Sequence, residues 1–248
     1  MTALIPNDMT NLDRLALAVF LVAWLGYGRL IQLLGRTPNI TSRMAVLRRA
    51  WMHAMLGRDN RIVDASLLGS SMSSGTFFAS TSMIALAALL GMLGRFEMTY
   101  DALADLTFTV KTSRMFVEFK IMLLVVVFAH GFLKLTWALR QLNYCLALVG
   151  SAPLKPTVTQ RERLADENAK VLTLGISSFN AGIRGYYFAL AALAWFLGPL
   201  AFMTVTFGMV AMLLWRQFVS ATAEAIRLSH AVQQGHGTEV VRGAPVPT

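Results

Sequence analysis

The chain has little cysteine, little charge and no clustered histidine, and each shortage removes a class of function. A single cysteine, Cys145, permits neither an intramolecular disulfide nor a cysteine-based zinc site. It reads as a small, buried apolar side chain. The four histidines fall in no HxxH or HxxxH spacing, so no metal site and no cofactor is expected. Neither HExxH nor a GxSxG within an apolar span occurs, and no span carries paired acids, which argues against an intramembrane enzyme. A cleavable leader is missing as well. Asp8, Asp13 and Arg14 stand where a basic region and a small-residue cleavage site would be, so the first span is expected to stay in place.

Charged residues make up only 14% of the chain and hydrophobic ones 56%, too apolar for an ordinary soluble domain. Apolar residues run all round the expected helices, without the one-sided pattern of a soluble bundle. The net charge of +9 comes from basic residues beside apolar spans. The positive-inside rule explains them, and nucleic acid is not an expected partner.

What is present is a long soft helix used twice. Ser70–Gly94, SSMSSGTFFASTSMIALAALLGMLG, is half Ser, Thr and Gly and half purely apolar. Ser177–Gly198, SSFNAGIRGYYFALAALAWFLG, has the same design, and IALAALLGMLG and FALAALAWFLG agree at seven of eleven positions. The expected fold is all-α: a polytopic membrane bundle of about five transmembrane helices with a parallel two-helix internal repeat.

The expected spans are 12–34, 66–94, 115–139, 174–197 and 199–216, in a single membrane domain over 1–234 with a disordered tail at 235–248. Arg36-Thr37-Pro38 should end the first helix. Thr41–Leu56, with Asn39 or Thr41 as its cap, is too charged to cross and reads as an amphipathic helix in the cytoplasmic interface. Six Arg against two Asp over 35–64 put that side in the cytoplasm, the N-terminus outside and the C-terminus inside. The charge-balanced stretch from Arg95 to Arg114 reads as an external loop, and Gly198-Pro199 as a tight turn between the last two spans. The setting this implies is a cell (inner) membrane, with lipid and anionic headgroups as partners and a homo-oligomer as a possible assembly.

Ionisable residues in spans are the default functional pointers. His130, Lys134, Trp137 and Gln141 share one helical stripe. The stripe suits a wet cavity or an anionic-headgroup site, and equally a snorkelling Lys134 beside a packed His130. Ser177, Asn180, Arg184 and Tyr187 form a second stripe, with Arg184 read either as specific or as snorkelling. Ser70 and Ser74 lie on nearly one face with Thr81, suited to interhelical contact. Arg43, Arg48, Arg49 and Trp51 are candidate lipid-headgroup contacts. Glu118 and Lys120 read as interfacial residues, and Asp59-Asn60 and Glu167-Asn168 as helix caps.

Several segments together carry a resemblance. RRAWM at 48–52, RDNRIVD at 58–64, FFASTS at 77–82, FNAGIRGYYFALA at 179–191, WALRQLNY at 137–144 and WRQF at 215–218 resemble the uncharacterised membrane-protein family known as domain of unknown function 599. The likeness covers roughly residues 12 to 225 and implies a multi-helix membrane fold. It implies no activity and assigns no residue a catalytic role. Three functions are therefore set against each other: passage of an ion or small solute through an oligomeric bundle, an accessory or scaffolding subunit of a larger membrane complex, and, least favoured, an intramembrane enzyme.

Overall fold

The computed structural model describes residues 6, 8–33, 40–104, 110 and 112–233. The helix stop expected at Arg36-Thr37-Pro38, the Asn39 cap and the tail expected from Gly235 lie outside them. The described residues form α1 (Asn11–Leu33), α2 (Ile40–Met55), α3 (Ile62–Gly94), α4 (Phe96–Ala104), α5 (Arg114–Ser151), α6 (Val158–Leu193), α7 (Pro199–Phe218) and α8 (Ala221–Gln233). A 3-10 turn over Ala194–Leu197 joins α6 to α7.

Local chemistry sets most boundaries. The Ser113 hydroxyl accepts from the Phe116 amide at 3.3 Å and starts α5. Thr157 and Gln160 form a reciprocal capping box that starts α6. Gly198, at φ 126, supplies the turn that a residue with a Cβ would resist, and Pro199 opens α7 as expected. The N-cap position of α3 is Arg61, which makes no side-chain cap, and Asn60 just before it accepts from the Ile62 amide at 2.9 Å.

Two expectations fail here. The capping role expected of Glu167-Asn168 is ruled out because α6 begins at Val158, nearly three turns earlier, and runs through them unbroken. The stretch expected as an external loop contains a helix, α4, in which Phe96 and Tyr100 meet across one turn with ring centroids 6.1 Å apart. Its balanced charges concealed that apolar pair.

Among the described residues four helices are long and apolar enough to cross a membrane: α1, α3, α5 and the α7–α8 stretch. The expected span at 174–197 falls on α6, which is not one of them. Asn180, Arg184 and its serines dilute its apolar content. Its buried face is rich in small residues, Gly175, Gly182, Gly185, Ala189 and Ala192, beside Leu172 and Phe188, and packs against protein.

The direction of each helix follows from its contacts. Phe116 meets Trp195, Gly131 meets Gly182 and Gly185, Gln141 meets Ser178, and Cys145 meets Asn168. Numbers rise along α5 as they fall along α6, so the two are antiparallel over most of their length. α3 runs with α6, since Phe78 packs on Phe179 and Ser82 on Tyr186. α1 runs against α6, from Asp13 at Trp195 through Phe20 at Phe188 to Tyr27 at Arg184. α7 also returns against α6, from Phe202 at Trp195 to Arg216 at Tyr187. Thus α1, α5 and α7 point one way, α3 and α6 the other.

Two cores stack along this bundle. At the end where α1 begins, Phe20, Phe116, Phe188, Trp195 and Phe202 are fully buried against one another, Trp195 stacking on Phe202 at 4.8 Å. At the Arg-rich end, α2 folds over α5 and α6 and buries Met52, Met55 and Leu56 against Leu142, Cys145 and Leu172. Only the inward face of α3, with Asp64, Leu68, Gly75, Ala79 and Ser82, is buried.

Candidate functional site

The polar residues gather in three places along the bundle. The first is the Arg-rich end. Asp64 is fully buried and accepts from Trp51 Nε1 at 2.6 Å and from Arg58 Nη1 at 2.5 Å. Its second oxygen, and the buried Nδ2 of Asn168, have no hydrogen-bond partner among the described residues. Arg61 donates to the carbonyls of Val149, Ala152 and Pro153, at 3.2, 2.6 and 2.8 Å, and so closes the end of α5.

The expected headgroup residues largely have protein partners. Arg48 donates to Thr173 Oγ1 at 3.3 Å, and Arg49 pairs with Asp166 through two bonds, its Nη2 lying 3.1 Å from Oδ2. The Arg49 guanidinium holds the Asp166 carboxyl below its ordinary range. Trp51 points its indole N–H at Asp64, while Arg43 stands half-buried near Glu224.

The second gathering lies midway along the bundle. Arg184 lies against the ring of Tyr27, 5.2 Å from its centroid, and Arg216 Nη1 donates to the Tyr187 hydroxyl at 2.8 Å. The His130 ring sits 5.2 Å from Trp24. Lys134 is exposed, and with His130 and Trp137 it lines a groove of about 610 Å³ on the outer face of α5. Gln141 leaves that stripe for the interior and accepts from Ser178 Oγ at 2.7 Å. Asn180 faces outward, apart from Arg184.

Ser70 and Ser74 are exposed, so the Ser-rich face of α3 does not pack on other helices within one copy, contrary to the sequence-based expectation. Its hydroxyls turn back onto their own helix: Ser71, Ser73, Ser74, Thr76 and Thr81 each donate to the carbonyl four residues earlier. Ser82, on the inward face, is the exception that also crosses to another helix, meeting the Tyr186 hydroxyl at 2.9 Å.

The third gathering escaped the sequence reading. Lys120 is 3% exposed rather than interfacial, its ammonium 4.4 Å from the Phe116 ring centroid and 5.9 Å from that of Trp195. Asp13, also buried, accepts from Trp195 Nε1 at 2.8 Å and from Thr10 Oγ1 at 2.6 Å. The signal for Lys120 was its place between Phe116, Phe119 and Ile121, an apolar setting that a solvated lysine does not need. Nothing in the sequence joins it to Trp195.

Comparison with known proteins adds one finding. Residues 15–222 match the family described as protein of unknown function, DUF599. The chain belongs to the DUF599 family. No curated protein and no solved structure matches it. The match spans α1 to the start of α8, so all three gatherings lie on DUF599 residues, apart from Thr10 and Asp13 ahead of it.

Proposed function

We propose that the chain crosses a membrane five times, with the Arg-rich end in the cytoplasm, and works non-enzymatically as an oligomer that passes an ion or small solute. α6 supplies the fifth crossing. A helix antiparallel to α5 over most of its length cannot stay outside a bilayer that α5 spans, because no lipid-exposed break interrupts either. Its low hydropathy is tolerable because much of its surface, with Gly182, Gly185, Ala189 and Ala192, is buried against other helices, while Leu190 and Leu193 face outward. Arg29, Arg43, Arg48, Arg49, Arg58, Arg216 and Arg227 would then share the cytoplasmic side, which supports an N-out, C-in orientation in a cell (inner) membrane.

The observation that carries passage is the contrast between interior and outer face. Five buried rings, packed edge-to-face, tilted and stacked, fill the core between α1, α5, α6 and α7. The outward face of α3 meanwhile shows Ser66, Gly69, Ser70, Ser73, Ser80 and Gly91 along most of its length. Small residues on an exposed helix favour close helix contact, so the outward face of α3 would line a path between copies, with Ser80 and Gly91 at membrane depth and Ser66 to Ser73 at its cytoplasmic mouth. The parallel directions of α3 and α6 support the internal repeat. Their matched glycines also seat on one helix: Gly75 against Leu139 and Gly182 against Leu135 of α5.

Proteoliposomes with the purified protein should conduct at least one ion or small solute above protein-free vesicles, and Ser73→Leu should reduce that flux. No flux across a broad panel would overturn the reading. The accessory-subunit reading is favoured by one observation, the back-bonded hydroxyls of α3, which are satisfied without water. Co-purification of a stable, different partner in native membranes would select it.

A further inference from the structure

We propose that the groove on α5 between Val126 and Trp137 is a binding site for one acidic phospholipid of the cytoplasmic leaflet. The groove holds about 610 Å³ and is lined by Val126, Ala129, His130, Leu133, Lys134 and Trp137. Its wall is apolar at one end and cationic and aromatic at the other. Leu133 and Val126 stand 65% and 48% exposed, so apolar surface lies open along the groove beside the cation.

The depth fits a single leaflet. Lys134 lies twenty residues after Arg114, about 30 Å of helix, which is the thickness of a hydrocarbon core. It therefore stands at the cytoplasmic interface, with Trp137 at headgroup level. Val126 lies about 12 Å deeper, within one leaflet of about 15 Å. An acyl chain would run over Leu133, Ala129 and Val126, and the phosphate would sit at Lys134. His130, one turn deeper, meets the glycerol ester region with a donor or an acceptor.

The charge is complementary and uncommitted. Among the described residues Lys134 ion-pairs with no carboxylate, whereas Arg49, Arg58, Arg114 and Arg227 all do. Two of the cations first expected to meet headgroups, Arg48 and Arg49, are engaged by Thr173 and Asp166. The free ammonium beside an open apolar groove is the better match for an anionic lipid than those arginines. The inference rests on the chain lying in a bilayer and not on passage, so a null flux result would leave it standing.

The test uses full-length protein in nanodiscs of equal parts phosphatidylcholine and phosphatidylglycerol, read by native mass spectrometry. One lipid should be retained with about fivefold preference for phosphatidylglycerol, the effect of one lysine near an anionic surface. Lys134→Gln should abolish the preference, Lys134→Arg should keep it, and Lys155→Gln in the α5–α6 linker should leave it unchanged. A second readout needs no charge variant: brominated phosphatidylglycerol should quench Trp137 more than brominated phosphatidylcholine does, measured as the difference between wild type and Trp137→Phe. Equal retention of the two lipids by the wild type, an unchanged preference in Lys134→Gln, or identical quenching would overturn the proposal.

Discussion

At the scale of single residues, the structure separates positions that tolerate change from those that do not. A Cβ on Gly182 would meet Leu135 Cγ at 2.5 Å and the Gly131 carbonyl at 3.1 Å, whereas one on Gly26 would meet nothing within 4 Å. Gly182→Ala should destabilise by about 1–3 kcal/mol through overpacking, and Gly26→Ala should be neutral or mildly stabilising, both by thermal unfolding in detergent. Arg58→Gln leaves the fully buried Asp64 carboxylate held by Trp51 alone, so it should cost far more stability than Arg227→Gln, whose pair with Glu224 is exposed. Asp8 gives a pH signature. Burial raises its carboxyl, but the bonds from the Ser113 amide and hydroxyl, at 2.8 and 2.7 Å, outweigh that and hold it below the ordinary value. A lowered folded-state value means the stabilisation is complete above the unfolded carboxylate range, near pH 4, and is lost as pH falls through the folded value. Asp8→Asn should therefore flatten the acid limb of an unfolding profile and lower its neutral and alkaline level without changing the slope there.

At the scale of elements, the long apolar runs were legible because lipid-facing sequence must be continuous, and α1, α3 and α5 stand close to where composition puts them. The Gly198-Pro199 turn was legible because both residues act locally. α2 was legible as a helix, but not its destination: Met52 and Met55 go into protein, and no periodicity states whether an apolar stripe meets lipid or another helix. The partners of Asp64 and Lys120 were illegible for a related reason, since Trp51 and Trp195 reach them only through tertiary packing. The α2 cover can be assayed directly, because the chain has one cysteine and it is buried in the core to which Met52 and Met55 of that helix belong. Cys145 should resist a membrane-permeant maleimide in the native state, and Met52→Ala should speed its labelling several-fold by opening the cover. Equal labelling rates in the two proteins would show that α2 does not guard that core.

At the scale of the whole molecule, α1, α5 and α7 run one way and α3 and α6 the other. An aromatic core closes one end and an Arg-rich cover the other. That arrangement leaves the Ser-bearing face of α3 on the outside, where no helix of the same copy covers it. The decisive measurement is a cysteine scan of α3 in native membranes on a Cys145→Ala background, at Ser66, Ser73, Ser80 and Ala87. Oxidative cross-linking between copies at these outward positions, together with labelling of Ser66→Cys to Ser80→Cys by a charged thiol reagent, is the result predicted for an oligomer with a wet path along α3. A monomer with no cross-link at any of the four positions, and no labelling by the charged reagent, would contradict it.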